Sequence, residues 1–302
     1  MKKKKKKKGL ASSLAVIKAQ TFMWVLLVPT VFALILCHWY PIFSGVYTSF
    51  FKTQGYNAVE FVGLENYKNV LTDTMFLSTL GNTLKYVFWS LILGGIPPIF
   101  IAIIMNEVIH AKRTIRLLTY VPAVTPALAT AVIWMCIFSP APGGLLNYML
   151  SLFGIEAQGW LQNAKMTIPL IMFSASWSGI PGTVILYLAS LQNVNQDLYE
   201  AAMIDGAGIW TRLKKITLPT LYPTILLMWV RQIIGIFQIM QEPLVMTDGG
   251  PNNASLSLNL TAYRMAFTYG QADRALALGT VSFVLLLIVS IGYFKLDKKL
   301  NS

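Results

Sequence analysis

Charge is scarce in this sequence: only 12% of its 302 residues are charged, about half the share of an ordinary soluble domain. Thiols and imidazoles are scarcer still, with two cysteines and two histidines in all. Cys37 and Cys136 both lie in apolar stretches, so neither a disulfide framework nor a CxxC metal site is available, and both read as small core hydrophobes. His38 and His110 fall near opposite ends of apolar segments, and there is no HExxH and no GxSG, which leaves an intramembrane enzyme without a nucleophile and base or a ligand set. No metal site is expected. The pattern GxxxxGK[ST] is absent, so this chain has no P-loop with which to hold ATP. A secretory signal is excluded too, because no small-x-small cleavage site follows the apolar stretch from Phe22. Leu34-Ile35-Leu36-Cys37 lacks the small residue that a lipoprotein box needs before its cysteine, so the first span reads as uncleaved.

What remains is apolar and basic. Hydrophobic residues make up 55% of the chain, and 24 Lys+Arg against 12 Asp+Glu leave a net charge of +12. Seven of the lysines form the single run Lys2 to Lys8, next to an apolar segment. Nucleic-acid binding needs basic residues spread along a face with aromatics between them; a lysine block beside an apolar span instead fits a cytosolic flank attracted to anionic membrane lipid.

Windows long enough to cross ~30 Å of hydrocarbon as a helix fall at 22–48, 83–105, 117–138, 167–190, 221–243 and 275–294. Of the basic residues outside these six spans, 17 lie on the side holding the N-terminus and 5 on the other. By the positive-inside rule both termini are cytoplasmic. The division is then a basic N-terminus (1–21), a six-helix membrane domain (22–294) and a short cytoplasmic tail (295–302): an all-α polytopic protein of the plasma membrane. Nine prolines lie in or at the ends of the spans, among them Pro122, Pro126, Pro181 and Pro223. Each removes a backbone donor, and the freed carbonyl must find a partner in a neighbouring helix or a wet cavity.

Outside the spans, Gly63 to Leu71 reads as a short interfacial helix with Leu64, Tyr67 and Leu71 on one face, and Leu145 to Phe153 as a second helix after the turn 140–144. Asp248-Gly249-Gly250-Pro251-Asn252-Asn253 is a strong turn signal. On the cytoplasmic side, residues 191–220 form a connection far longer than the roughly 2–8 residues usual between bundle helices. Asn195 is its capping residue, Leu198, Ala201, Ala202 and Asp205 share a small flat helical face, and Gly206 and Gly208 suit a helix end. Ile209 to Lys215 is expected to form a second short helix, stopped before Pro219, so that the loop projects as a helix-turn-helix knob.

The run Glu200-Ala201-Ala202, then Asp205-Gly206-Ala207, then Ile216-Thr217-Leu218-Pro219 resembles the EAA loop of permease subunits in binding-protein-dependent ABC importers. It is similar in particular to the carbohydrate-uptake class that includes the maltose, lactose and glycerol-3-phosphate permeases. Gly63-Leu64-Glu65-Asn66-Tyr67, Asn82-Thr83-Leu84, Pro122, Pro126 and Thr247-Asp248-Gly249-Gly250-Pro251 extend the resemblance over nearly the whole chain. Leu213 departs from it, since the family usually carries phenylalanine there. The resemblance implies a type I importer permease fold and an EAA helix seated in a cleft of an ATPase subunit. Glu200 then makes the polar contact, Ala201, Ala202 and Gly206 allow close approach, and Asp205, Leu213, Ile216, Leu218 and Pro219 complete the coupling element. It further implies a second six-span permease, two ATPase subunits that carry ATP and Mg, and an extracellular solute-binding protein received by segments 52–82 and 244–274. No cofactor is expected on this chain itself.

Two spans carry the residues expected to meet a solute. Span five holds Arg231, Gln232, Gln238, Gln241 and Glu242. A charge near the bilayer centre costs about 2.5–3.5 kcal/mol on insertion scales, so these side chains should face protein or water. Arg231, Gly235, Gln238 and Glu242 recur at helical spacing, flanked by Gln232 and Gln241; amides suit the paired donors and acceptors of a sugar. Arg231 reads equally as a structural partner to a neighbouring helix or as a substrate group. In span four, Trp177-Ser178-Gly179-Ile180-Pro181-Gly182 reads as a helix break beside a stackable indole, although Trp177 also fits plain packing. The resemblance places solute-lining positions on Ser178, Gly179 and Gly182, around Gln232 and one to two turns later, where Ile236 and Ile239 are apolar, so the main solute contacts fall either to this subunit or to its partner. The expected activity is import of a di- or oligosaccharide; a stand-alone carrier would need an intramembrane carboxylate and leaves the long cytoplasmic loop without a role.

Overall fold

The computed structural model describes residues 20–107, 112–141 and 143–300. The lysine run Lys2 to Lys8, His110, Pro142 and the last two residues lie outside the described residues. Five helical stretches are long and apolar enough to cross a membrane: Val25–Thr48, Thr74–Glu107, Thr167–Gln192, Ile209–Phe237 and Ala272–Leu296. The sixth is a pair, Arg113–Val124 and Ala127–Ile137, bent by 101°.

In chain order the first span comprises α1 (Thr21–Leu34) and α2 (Tyr40–Thr48), joined by a π-turn at Ile35–Trp39. A small antiparallel hairpin follows, β1 (Phe51–Gln54) and β2 (Asn57–Phe61), paired Phe51 to Phe61 and turned at Gly55 with φ +63°. This hairpin is absent from the all-α expectation; its four- and five-residue strands are too short to print a period. α3 (Glu65–Thr72) packs through Asn66, Tyr67 and Val70 rather than through Leu64 and Leu71, which stay exposed. The reason is polar: Asn66 Nδ2 donates to the carbonyls of Ser49 and Phe51, which ties α3 to the end of the first span.

α4 (Thr74–Ser90) is capped by Asp73, whose carboxylate accepts the Met75 amide. A π-turn at Leu91–Gly95 leads into α5 (Pro97–Glu107). α6 (Lys112–Val124) and α7 (Ala127–Ile137) form the bent pair. The single span expected at 117–138 breaks because proline drives the residue before it out of the helical region and removes a donor. Pro126 stands as the α7 cap at ψ 139°. α8 (Leu145–Ser151) follows.

α9 (Thr167–Gln192) is the hub, packed on α4, α5, α6 and α7. It runs unbroken through Pro181, so the break expected at Trp177–Gly182 does not occur. One proline removes one bond of the ladder, and α9 holds its course because its neighbours pack along its length. The element between the fourth and fifth spans is α10 (Gln196–Ile204); after it α11 (Ile209–Arg212), a π-turn at Leu213–Thr217 and α12 (Leu218–Phe237) form one continuous rod. The second short helix expected to stop before Pro219 is therefore the foot of span five, the π-turn absorbing the donor missing at Pro219. Span five also ends earlier than 243, because the chain leaves the helix at Gln238. α13 (Gln241–Thr247), α14 (Leu258–Tyr263), a π-turn at Arg264–Thr268 and α15 (Ala272–Leu300) complete the chain.

The core is apolar, but it also takes in small polar residues, and the outside is apolar too. Buried positions include Ser49, Asn82, Thr83, Ser90, Thr130, Ser174 and Ser176, while leucine, isoleucine and phenylalanine crowd the outside. In a bilayer, association rests on close packing and hydrogen bonds rather than on hiding apolar surface from water. Cys37 and Cys136 accordingly lie exposed, not in the core, because an apolar side chain needs no protein cover against lipid.

Candidate functional site

The principal cleft opens where the π-turn after α4, the middle of α9 and the C-terminal half of α12 converge. It encloses about 250 Å³ and is lined by Gly94, Ser176, Gly179, Gly182, Thr183, Arg231 and Gln232, with Met172, Met228 and Ile236 as apolar backing. Small residues make the approach possible: a Cβ on Gly94 would stand 2.7 Å from Gln232 Nε2 and 2.9 Å from Ser176 Oγ. Gln232 is half-committed to the fold, since its amide donates to the Ser90 carbonyl at 2.6 Å. Ser176 Oγ is buried and has no hydrogen-bond partner within the chain. A buried hydroxyl without a partner is costly and therefore marks a place where a polar ligand or water belongs.

Four of the eight residues expected along the solute path thus meet in one cleft: Gly179, Gly182, Arg231 and Gln232. The other four do not. Trp177 packs edge-on against Trp134 at 6.0 Å, the packing alternative for this residue. Ser178 turns its hydroxyl back onto the Ala175 carbonyl of its own helix. Gln238 and Gln241 flank the break after Phe237, one as the cap of α12 and the other opening α13, so the single stripe from Arg231 to Glu242 is not one helical face. Ser176 and Thr183 were the residues missed. Their signal is present as spacing, for Met172, Ser176, Gly179 and Thr183 recur at i, i+4, i+7 and i+11 on α9.

Above the cleft, the turn after span five is fastened to α4 by the Asn-Thr pair. Asn82 Nδ2 donates to the carbonyls of Asn253 (2.8 Å) and Leu256 (3.2 Å), Thr83 Oγ1 accepts the Leu258 amide (3.0 Å), and the Tyr86 hydroxyl donates to the Ser255 carbonyl (2.9 Å). Asp248 ends α13 at φ 46°, and Arg264 grips both its carbonyl (2.7 Å) and its carboxylate (2.6 Å). That is the sole ion pair among the described residues. Buried backbone carbonyls in an irregular turn need donors, and α4 supplies them.

At the opposite end α10 stands out from the rod. Asn195 caps its start by accepting the Asp197 amide. Its C-terminus is a full Schellman closure: the Ala207 amide bonds the Ala202 carbonyl, the Gly206 amide bonds that of Met203, and Gly206 takes φ +74°. The Tyr199 hydroxyl meets Thr217 Oγ1 at 3.0 Å, which ties α10 to the π-turn. Glu200, Ala201, Asp205, Gly206 and Pro219 are exposed, whereas Ala202, Leu213, Ile216 and Leu218 are half-buried beneath them. Around the exposed face lies an apolar collar that includes Ile204 (87% exposed) and Trp210 (72%). Glu200 also borders a polar cleft of about 380 Å³ with Asn106, Glu107, Tyr199 and Arg212.

The sequence matches, over residues 94–302, the family described as binding-protein-dependent transport system inner membrane component. The chain is 32% identical over 271 residues to the arabinooligosaccharides transport system permease protein AraP of Bacillus subtilis (strain 168), covering 89% of this chain and 86% of that protein. It is 32% identical over 238 residues to the trehalose/maltose transport system permease protein MalF of Thermococcus litoralis, covering 79% and 80%. The fold matches, at a TM-score of 0.85 and 24% identity over 96% of this chain and 99% of the other, a chain of a bacterial ABC transporter that imports the acidic polysaccharide alginate.

Proposed function

Since the chain belongs to the family of binding-protein-dependent transport system inner membrane components, we propose that it is one of two non-identical membrane subunits of an ATP-driven importer of a sugar, a di- or oligosaccharide. Its partners are a second six-span permease, two ATPase subunits and an extracellular solute-binding protein. ATP and Mg reside on the ATPase, and this chain contributes no catalysis and binds no cofactor. The observation that carries the reading is α10, a rigidly capped helix with an exposed Glu200-Ala201 face and an apolar collar, joined through a π-turn to the rod that borders the cleft. A push on α10 reaches the cleft along that rod, because Tyr199 and Thr217 couple the one to the other. Closure of the ATPase pair then moves α10 as a rigid body, and the spans exchange inward-open for outward-open states. The names of the curated relatives and the cleft's mix of amide, hydroxyl and apolar backing both support a sugar as cargo. Basic residue bias supports cytoplasmic termini, with residues 191–220 as the coupling loop and 52–82 and 244–274 facing the binding protein.

The test is a mild-detergent pull-down of the tagged chain from its native membrane, with the co-purifying subunits weighed and ATPase activity assayed. A second permease and a P-loop ATPase are expected. Recovery of this chain alone, still active in transport when reconstituted, would replace the importer with a carrier.

A further inference from the structure

Arg231 is the feature of the cleft that a neutral sugar does not explain. It is exposed on α12 and borders both the principal cleft and a second, apolar one formed with Leu227, Ile234, Ser290 and Phe294. A guanidinium inside a membrane span is retained only against a cost of a few kcal/mol, so something must neutralise it. Of the elements that line the principal cleft, α9, α4 and α5 supply no acid at its level. α9 has no charged residue from Thr167 to Gln192, α4 has only Lys85, and α5 only Glu107 at its far end. On its own chain the next carboxylate outward is Glu242, beyond the break after Phe237. Among the described residues Arg231 makes no ion pair. Beside it stand Ser176 Oγ, buried and unpartnered, and the bare backbone of Gly179 and Gly182, which leave room for a ring.

We infer that the path is built for an anionic solute, a sugar or polyol bearing a carboxylate or phosphate, and that Arg231 is the specificity-determining residue that pairs with that charge. The inference rests on the importer reading and narrows its cargo. Arginine suits the task because its planar fork meets a carboxylate or phosphate in two parallel bonds, which a hydroxyl cannot match. Gln232, anchored to Ser90, and Ser176 then serve the uncharged hydroxyls of the same solute.

The test uses the whole complex in proteoliposomes with its binding protein, offered an equimolar mixture of maltotriose, arabinotriose, trigalacturonate, triguluronate and glycerol 3-phosphate, with accumulated solute measured by mass spectrometry. The readout is the ratio of acidic to neutral uptake, which a mere loss of assembly does not move. The wild-type ratio is expected above about ten, one decade being 1.4 kcal/mol of discrimination. R231Q is expected to bring it towards one, and R231K to retain part of it. Uptake of a neutral sugar in preference to the acidic probes, or an unchanged ratio in R231Q, overturns the inference and leaves the importer reading standing. So does D297N reproducing R231Q, since Asp297 is the carboxylate that follows Phe294 on α15 and its loss would then identify Arg231 as a structural partner. Uptake of the neutral and acidic probes alike at a ratio near one in the wild type overturns the inference as well, while the pull-down decides the importer reading.

Discussion

Individual residues in this protein carry more of the fold than their size suggests, and Gly94 is the clearest instance. Its missing side chain lets the π-turn after α4 sit against Gln232 and Ser176 at distances no Cβ tolerates. Gly94→Ala is expected to displace the Gln232 amide from the Ser90 carbonyl and destabilise the chain by about 1–3 kcal/mol, the usual range for overpacking. A thermal melt of the purified protein in detergent checks it; an unchanged midpoint would mean that the amide swings aside freely. Tyr86→Phe probes a different contact. It deletes one hydroxyl and leaves the Ser255 carbonyl without that donor in a buried turn, at an expected cost of about 1–3 kcal/mol. The turn 247–257 should loosen first, read as faster amide hydrogen exchange there than along α9. At this scale the sequence reads well where chemistry is local. Asn82 and Thr83 were legible as a pair but not as the clamp on a turn some 170 residues on, because hydrogen bonding across the fold leaves no periodicity.

Elements follow their caps and their prolines, and the two signals differ in reliability. The start of α10 at Asn195 and its end at Gly206 are both readable, because capping is a contact within a few residues. Proline was not uniform in effect. Pro126 breaks its span, Pro181 leaves α9 unbroken, and Pro219 is taken up by a π-turn. Which outcome prevails depends on neighbours that hold the helix on course, and those come from distant parts of the chain. The same is true of the cleft, from whose expected lining Gln238 and Gln241 were displaced when α12 ended at Phe237. Gly206→Ala tests the coupling element. A left-handed residue with a Cβ costs about 1 kcal/mol, enough to loosen a nine-residue helix whose hold on the rod is the Tyr199–Thr217 contact. Uptake and solute-stimulated ATP hydrolysis are expected to fall several-fold while the complex still co-purifies. Full uptake in this variant would show that α10 transmits no motion.

Over the whole molecule, the body of the protein is assembled around α9, whereas the first span stands apart from it. The stretch Val25–Thr48 has none of its apolar window buried inside the chain, and its second helix, α2, is the part that touches α15 and the hairpin. It is long and apolar enough to cross a membrane, yet it contributes nothing to the core formed by Tyr86, Ile171, Tyr187 and Leu221. Sequence composition cannot distinguish a span that joins the bundle from one that does not, since both are uniformly apolar. The energetic consequence is direct. Among the described residues, the body's hold on the N-terminal part of the chain lies after Tyr40, because α3 is tied to Ser49 and Phe51 and α15 to Thr53 through Asp273. Removal of residues 1–39 is therefore expected to leave the melting midpoint of the isolated chain in detergent within about 2 °C of the full-length value, a shift below that of a 1 kcal/mol change in a domain of this size. A drop of 5 °C or more would mean that α1 packs on the body in solution and that the first span is part of its core.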